Sequence, residues 1–295
     1  LELLNSDRIK LADCINDIEF SNDGKYFIIS TGGYREQNNI IYLFDAKTLK
    51  PIKSINSDFK YLTSIAFTND LNFLIAGNNN SIRIWNLNDI IASDATDNYK
   101  TIENCHDARI SSILFINDDK TMITSSWDNT IKFWDFSALR LIKSLNAHDD
   151  IVNTIKIYNE KYLISISNDK TIKFRDLNTF NLLLVLKGHN NSVNDLCFLN
   201  NSLYTCSDDS TIKIWNIKDI GDNIFLEESI SNIALSPNSK YLAVANSLSN
   251  IVNIYEYQKD NSFQNGFVKI EHDDIISDLI FSNDSKTLFC ASKKS

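Results

Sequence analysis

The chain has 295 residues, 43% of them apolar and 11% aromatic, with only 7 glycines and 2 prolines; this is ample for one large core and excludes collagen-like and linker-like sequence. Its formal charge is −9, from 38 acids against 29 bases, which opposes sequence-independent binding to DNA or RNA, where cations must neutralise phosphates. No apolar run approaches the roughly 18 residues that a membrane helix needs, so a folded chain without membrane insertion is expected.

Apolar runs of strand length follow one another along the chain. Segments 1–4 and 9–12 come first, then Ile15-Asn-Asp-Ile-Glu-Phe20 and the turn Ser21-Asn-Asp-Gly24. An enlarged loop, 32–39, precedes a run ending at Phe44-Asp45, and the turn Thr68-Asn-Asp70 precedes one ending at Trp85-Asn86. Segment 88–104 is long and acidic and reads as a flexible solvated loop. Beyond it the pattern is clearest: 152–158 is a strand, 159–161 a turn, 162–167 a second strand, 168–170 a turn, 171–176 a third strand and 182–186 a fourth. Further turns stand at 116–119, 236–239 and 282–285, and a shorter insertion at 258–266. Asn and Asp suit such bends because their side chains bond the local backbone and tolerate unusual dihedrals. No amphipathic helix of any length is expected.

These runs are copies of one unit. Ser126-Trp-Asp-Asn-Thr-Ile-Lys-Phe-Trp134, Ser167-Asn-Asp-Lys-Thr-Ile-Lys-Phe-Arg175 and Ser207-Asp-Asp-Ser-Thr-Ile-Lys-Ile-Trp215 align directly. Their last position recurs at Phe44, Trp85, Trp134, Arg175, Trp215 and Tyr255, at intervals of 41, 49, 41, 40 and 40 residues. One more step back lands near Leu3, which makes seven units of about 42 residues. Four short antiparallel strands per unit describe a β-propeller blade.

The repeated residues resemble the WD40 family over essentially the whole chain, with Trp134-Asp135 and Gly188-His189 its literal dipeptides. The resemblance implies an all-β, seven-bladed propeller, a single domain over 1–295 of four-stranded antiparallel blades. Segment 1–13 shares blade 7 with 273–295, where 276–281 and 287–291 supply the first two strands; a partial packing of 1–12 is the alternative. It also implies structural tetrads, in which a His, a strand Ser or Thr, a turn Asp and a strand Trp share hydrogen bonds. Carried over, unit 3 offers His106, Asp128, Trp134 and either Thr124 or Ser126; unit 5 offers His189, Asp209, Trp215 and either Thr205 or Ser207. Unit 4 offers His148, Asp169 and Ser165 or Ser167, with Arg175 in the Trp position. Unit 2 has Trp85, with Asn79 in the Asp position and no His.

The four histidines, His106, His148, His189 and His272, each precede the first strand of a unit, so in a propeller they lie in different blades. That distribution disfavours both a hydrolase triad and a metal site. No phosphate loop or nucleophile elbow is present. The expected function is therefore a non-catalytic protein–protein interaction platform without cofactor or metal, a monomeric propeller within a larger protein or complex. Five cysteines without a CxxC pair fit reduced thiols in a cytoplasmic setting; a first residue other than Met fits a segment of a longer chain. The expected partner site lies on the face formed by the loops before first strands and between second and third strands. Tyr34, Arg35, Phe59, Tyr61, Arg109 and Trp127 form one candidate patch there, opposite the acids Asp149, Asp150, Asp208, Asp273 and Asp274. The competing function is an enzyme or small-ligand binder using the central channel, with Asp17, Glu19 and Asp195 as its only hints.

Overall fold

The computed structural model describes residues 9, 11, 14–32, 39–57, 59, 61–93, 96–199, 202–216, 223–225, 230–246, 250–257, 263–272 and 275–292. They fold into six four-stranded antiparallel sheets and one two-stranded sheet, each paired in chain order from strand a to strand d. Blade 1 comprises Ile15–Phe20, Tyr26–Thr31, Ile40–Asp45 and Pro51–Asn56. Blade 2 comprises Ser64–Phe67, Phe73–Gly77, Ile82–Asn86 and Tyr99–Ile102. Ile110–Ile116, Thr121–Ser126, Thr130–Asp135 and Arg140–Asn146 make blade 3; Val152–Tyr158, Tyr162–Ser167, Thr171–Asp176 and Leu182–Lys187 make blade 4. Blade 5 is Val193–Leu199, Ser202–Ser207, Thr211–Asn216 and Asn223–Phe225, and blade 6 is Ile230–Leu235, Tyr241–Asn246, Ile251–Tyr257 and Phe263–Glu271. The two-stranded sheet is Ile276–Phe281 with Leu288–Ser292.

Each strand a touches the strand a of the units on both sides, and Ile276–Phe281 touches both Ile230–Leu235 and Ile15–Phe20, so the first strands close a ring around a central channel. The period-2 pattern places alternate apolar residues between neighbouring blades, and each apolar cluster is shared by two units. Ile28, Leu43, Leu62, Leu74 and Trp85 join blades 1 and 2, for example, while Ala243, Val252, Ile276 and Phe281 join blade 6 to the two-stranded sheet. Strands b of blades 3 and 4 are almost wholly buried, whereas their d strands lie largely exposed on the circumference.

Of the seven four-stranded blades expected, the described residues form six, and the seventh place holds two strands; most of 1–13, expected to supply the other two, lies outside the described residues. Segment 1–4 lies outside the described residues. Ile9 and Leu11 pack against the same cluster of Ile18, Phe20, Phe27, Ile29 and Phe44 that Ile280 and Phe289 cover from the two-stranded sheet. Segment 88–104 is also not a plain loop. Asn86 caps a helix, Leu87–Ala92, by accepting the Asp89 N–H at 3.1 Å, and Leu87 and Ile90 bury into the core between blades 1 and 2. Tyr99–Ile102 then supplies strand d, and the Trp85 Nε1–H donates to the Thr96 carbonyl at 2.9 Å. Of the insertion at 258–266, residues 263–266 belong to strand d of blade 6 and 258–262 lie outside the described residues.

Among the described residues no strand pairs with a strand of another blade, and polar side chains of the first strands bridge the gap. Asn16 Nδ2 donates to the Leu62 carbonyl (2.9 Å), Ser111 Oγ to Val152 (2.7 Å), Asn153 Nδ2 to Val193 (2.7 Å) and Ser277 Oγ to Ile15 (2.7 Å). One residue further on, a carboxylate accepts the next blade's amide: Asp17 from Ile65 (2.9 Å), Asp195 from Ile233 (3.1 Å) and Asp278 from Ile18 (3.1 Å). On the opposite face the a–b turns also hold one another. Buried Asp119 accepts the Asn69 N–H and Nδ2–H on one oxygen and the Asp70 N–H on the other, at 2.9, 2.7 and 2.9 Å. Asp119→Asn keeps the side-chain shape and turns one of those acceptors into a donor. Its expected cost is about 1–3 kcal/mol, for a buried N–H left without a partner, measured by urea unfolding.

Candidate functional site

The b–c turns of blades 3, 4 and 5 share one construction. Asn129, Lys170 and Ser210 occupy the left-handed region, with φ of 70°, 69° and 66°, a conformation that costs a non-glycine residue about 1–2 kcal/mol. The preceding aspartate offsets that cost by tying the turn together. Asp128 Oδ1 accepts the Thr130 N–H at 2.9 Å and its hydroxyl at 2.6 Å, and its Oδ2 accepts from His106 Nδ1 at 2.8 Å. Because a carboxylate only accepts, Nδ1 carries the ring proton. His106 Nε2 then accepts the Thr124 hydroxyl at 2.7 Å, whose oxygen accepts the Trp134 Nε1–H at 2.9 Å. Blade 5 repeats the chain through His189–Asp209 (2.9 Å), His189–Thr205 (2.8 Å) and Trp215–Thr205 (2.8 Å).

Thr124, Ser165 and Thr205 are thus the hydroxyl partners of the histidines. Ser126, Ser167 and Ser207 instead accept the backbone N–H groups of Asp128, Asp169 and Asp209. In blade 4 His148 keeps Asp169 and Ser165, both at 2.8 Å, while Arg175 directs its guanidinium to the Phe180 and Ala147 carbonyls at 3.4 and 3.5 Å. In blade 2 it is Asn78, not Asn79, whose side chain accepts the N–H groups of the turn, from Asn80 and Ser81 at 2.8 and 2.7 Å.

Burial alone would raise the carboxyls of Asp128 and Asp169, but bonds from the facing histidine, threonine and backbone N–H hold both well below the usual carboxylate range. Burial also lowers the His148 and His189 pKa values, against the pull of their aspartates. All of these shifts place the stabilising contribution at neutral pH and remove it on acidification, the histidines first, below about 6.5.

Residues missed by the sequence reading sit beside these turns. Lys132 Nζ donates to the Cys105 carbonyl at 2.7 Å and Lys173 Nζ to the Ala147 carbonyl at 2.9 Å, fastening the segment that leads into each histidine. The repeated Thr-Ile-Lys carried that signal. In blade 2, which lacks a histidine, Arg83 donates to the Ser57 carbonyl and lies over the rings of Phe59 and Tyr99, at 4.5 and 4.3 Å. Phe59 is therefore not a surface residue as expected: it is 5% exposed, inside the core between blades 1 and 2.

Three members of the expected patch do come together. The Arg109 guanidinium carbon stands 4.7 Å from the Trp127 ring centre and 5.8 Å from that of Tyr61. The Trp127 N–H donates to the Arg109 carbonyl at 2.9 Å, and the indole is 41% exposed. Tyr34 and Arg35 lie outside the described residues, as do Asp273 and Asp274. Of the other acids, Asp149 and Asp150 are exposed, and half-buried Asp208 accepts from Asn194 Nδ2 at 2.7 Å.

On the first strands Lys156 feels the charges of Glu19, Asp195 and Asp278, and Asp17 acts on Glu19 and Asp278. Burial raises Asp17 to about 6, and burial together with the charge of Asp17 raises Glu19 to about 8. Asp195 and Asp278 are raised for the same first reason. Burial acts to lower Lys156, but Asp195, Cys197, Asp278 and Glu19 together raise it. Among the described residues no three His, Cys, Asp or Glu side chains are grouped so as to hold a metal ion.

Two outcomes follow from this geometry. Thr124→Val removes the hydroxyl between His106 and Trp134 and leaves both buried ring nitrogens without it, so unfolding by urea should show a loss of about 2–3 kcal/mol. Glu19, raised in the folded state, costs stability as pH rises from about 4.5 towards 8. Glu19→Gln should accordingly match the wild type near pH 4 and exceed its melting temperature by several degrees at pH 8; a difference independent of pH would contradict this.

A model of the WD domain, G-beta repeat, matches residues 49–86, 98–135 and 180–216. The guanine nucleotide-binding protein subunit beta of Zea mays is 30% identical over 139 residues, 44% of this chain and 34% of that protein. The U3 small nucleolar RNA-associated protein 12 of Saccharomyces cerevisiae is 29% identical over 122 residues, 41% of this chain and 12% of that one. The matched stretch thus spans about a third or less of these curated relatives. A solved structure titled "Structure of U3-55K" superposes over 97% of this chain and 90% of its own with a TM-score of 0.80, at 15% identity, a likeness of fold. With the repeats matched and their blades in place, the chain carries WD40 repeats on a β-propeller.

Proposed function

We propose that the chain is a non-catalytic interaction platform that receives a peptide or partner loop on the face bearing Tyr61, Arg109 and Trp127. The observation that carries this reading is the stack of Arg109 on Trp127, a residue 41% exposed at a turn where blades 4 and 5 hold Asn168 and Asp208. Tryptophan, tyrosine and arginine dominate the energetics of protein interfaces. The aspartate beneath the turn fixes Trp127 before any partner arrives, which lowers the entropy lost on binding. An apolar or acidic anchor suits this sector, and basic residues suit Asp149 and Asp150, just before the first strand of the adjoining blade 4. The named relatives, a subunit and an RNA-associated protein, support work within an assembly. The acidic balance supports protein partners over nucleic acid, and the histidines brace turns on this reading instead of performing chemistry.

The same proposal treats the chain as one monomeric domain in a reducing, cytoplasmic setting, with 1–13 completing a seventh blade beside Ile276–Phe281 and Leu288–Ser292. The placing of Ile9 and Leu11 on the cluster shared by Phe289 supports that closure. A channel ligand is the weaker reading, because Asp17, Asp195 and Asp278 already accept backbone N–H groups. Pull-down from native extract with the wild type and with Trp127→Ala plus Arg109→Ala tests the patch. The double variant should fold with stability within about 0.5 kcal/mol of wild type and lose its partner; undiminished recovery would count against the site.

A further inference from the structure

Among the described residues, most of the exposed leucines and isoleucines lie on the circumference of blades 3 and 4. Strand d of blade 3, Arg140–Asn146, exposes Leu141 and Ile142 at 47% and 53%; strand d of blade 4, Leu182–Lys187, exposes Leu182, Leu183 and Leu184 at 45%, 53% and 42%. Both are the outermost strands of their sheets, so each presents an unpaired edge of backbone N–H and C=O groups. Their charged residues are Arg140, Lys143 and Lys187, and neither strand contains an acid.

A second observation comes from the position where the repeat breaks. Arg175, paired across the sheet with Leu182, stands where blades 3 and 5 bury an indole. Its two carbonyl bonds are long, its buried Nε–H has no acceptor, and burial alone accounts for its lowered pKa. A guanidinium placed beside an exposed apolar edge, without a carboxylate of its own, is complementary to an acid brought from outside.

We infer that the edge of Leu182–Lys187 accepts an extended segment of a partner protein, apolar and acidic in alternation, which adds as a fifth strand to blade 4. The backbone edge supplies affinity, Leu182 and Leu184 the apolar seats, and Arg175 and Lys187 the preference for carboxylates. A second copy of this chain is a poor occupant because two such edges would oppose their own cations. An anionic bilayer would satisfy the charge and the leucines but not a directional row of backbone donors and acceptors.

The probes are short synthetic peptides in which Val and Leu alternate with Glu, a twin with Lys for Glu, and a twin N-methylated on one edge, read by fluorescence anisotropy. The Glu peptide should bind saturably and at least about tenfold more tightly than either twin, a difference of roughly 1.4 kcal/mol. Leu182→Ser with Leu184→Ser should abolish binding while circular dichroism and melting stay at wild-type values, and Arg175→Met should narrow the gap between the Glu and Lys peptides. Trp127→Ala with Arg109→Ala should bind the Glu peptide as wild type does, which separates this edge from the face proposed above. Absence of saturable binding, equal affinity for the twins, or unchanged binding by the leucine variant would overturn the inference. So would concentration-dependent dimers in sedimentation, or capture by phosphatidylserine vesicles without peptide binding.

Discussion

A propeller faces a bonding problem that a single sheet does not. Its blades meet face to face, so the innermost strand of each has a free edge towards the channel, and the apolar clusters between blades are indifferent to small slips. Here the second and third residues of the first strands resolve both difficulties. Asn16, Ser111, Asn153 and Ser277 reach the neighbour's carbonyl, and Asp17, Asp195 and Asp278 take its amide. Each bond satisfies a backbone group that would otherwise be left unpaired, and each fixes one blade's register against the next. Ser277 and Asp278 make the same two bonds to blade 1 that Asn16 and Asp17 make to blade 2, so the ring closes by the rule that builds it. Burying carboxylates in this way raises their pKa values, Asp17 to about 6 and, with the charge of Asp17 added, Glu19 to about 8, while Asp195, Asp278 and Glu19 hold Lys156 charged.

The outer face obeys a different economy. Around the b–c turns the ionisable groups are paired within their own blade, and the histidine–aspartate bonds spread from turn to strand to indole. This is what allows a lysine or an asparagine to hold a left-handed conformation in a turn with no glycine. It also allows a tryptophan to sit at such a turn with its side chain in solvent, since the backbone beneath it is set by Asp128 and by the Arg109 carbonyl. Rigidity there is a property of the repeat; the exposed indole is a property of one copy.

The strands were legible because each carries its own period-2 pattern and turn residues: 152–158, 162–167 and 171–176 match their observed limits. The histidine networks were legible because spacing places one set in each of blades 3, 4 and 5. What escaped the sequence was whatever depends on a second blade. Phe59 reads as a loop aromatic until Arg83 and the core of blades 1 and 2 close over it. Segment 88–104 reads as solvated because its polar and charged residues outnumber its apolar ones, yet Ile90, with Leu87 just before the segment, is enough to dock a capped turn of helix. The cross-blade role of Asn16 or Ser277 leaves no trace in local pattern, since small polar residues also suit an exposed strand.

Arg175 shows how far the repeat tolerates a break and what the break exposes. His148, Asp169 and Ser165 keep their geometry without an indole, so the turn does not need the tryptophan; the tryptophan serves the packing between blades. Replacing it by a guanidinium without a carboxylate leaves blade 4 with an unmet bond beside an edge of exposed leucines. Local conflicts of this kind persist in natural sequences chiefly where they serve a function. The Trp127 turn belongs to blade 3 and this edge to blade 4, whose first strands touch, so a partner that spans the two sites would engage adjoining blades of one ring, and its affinity would rise through effective concentration without any further contact.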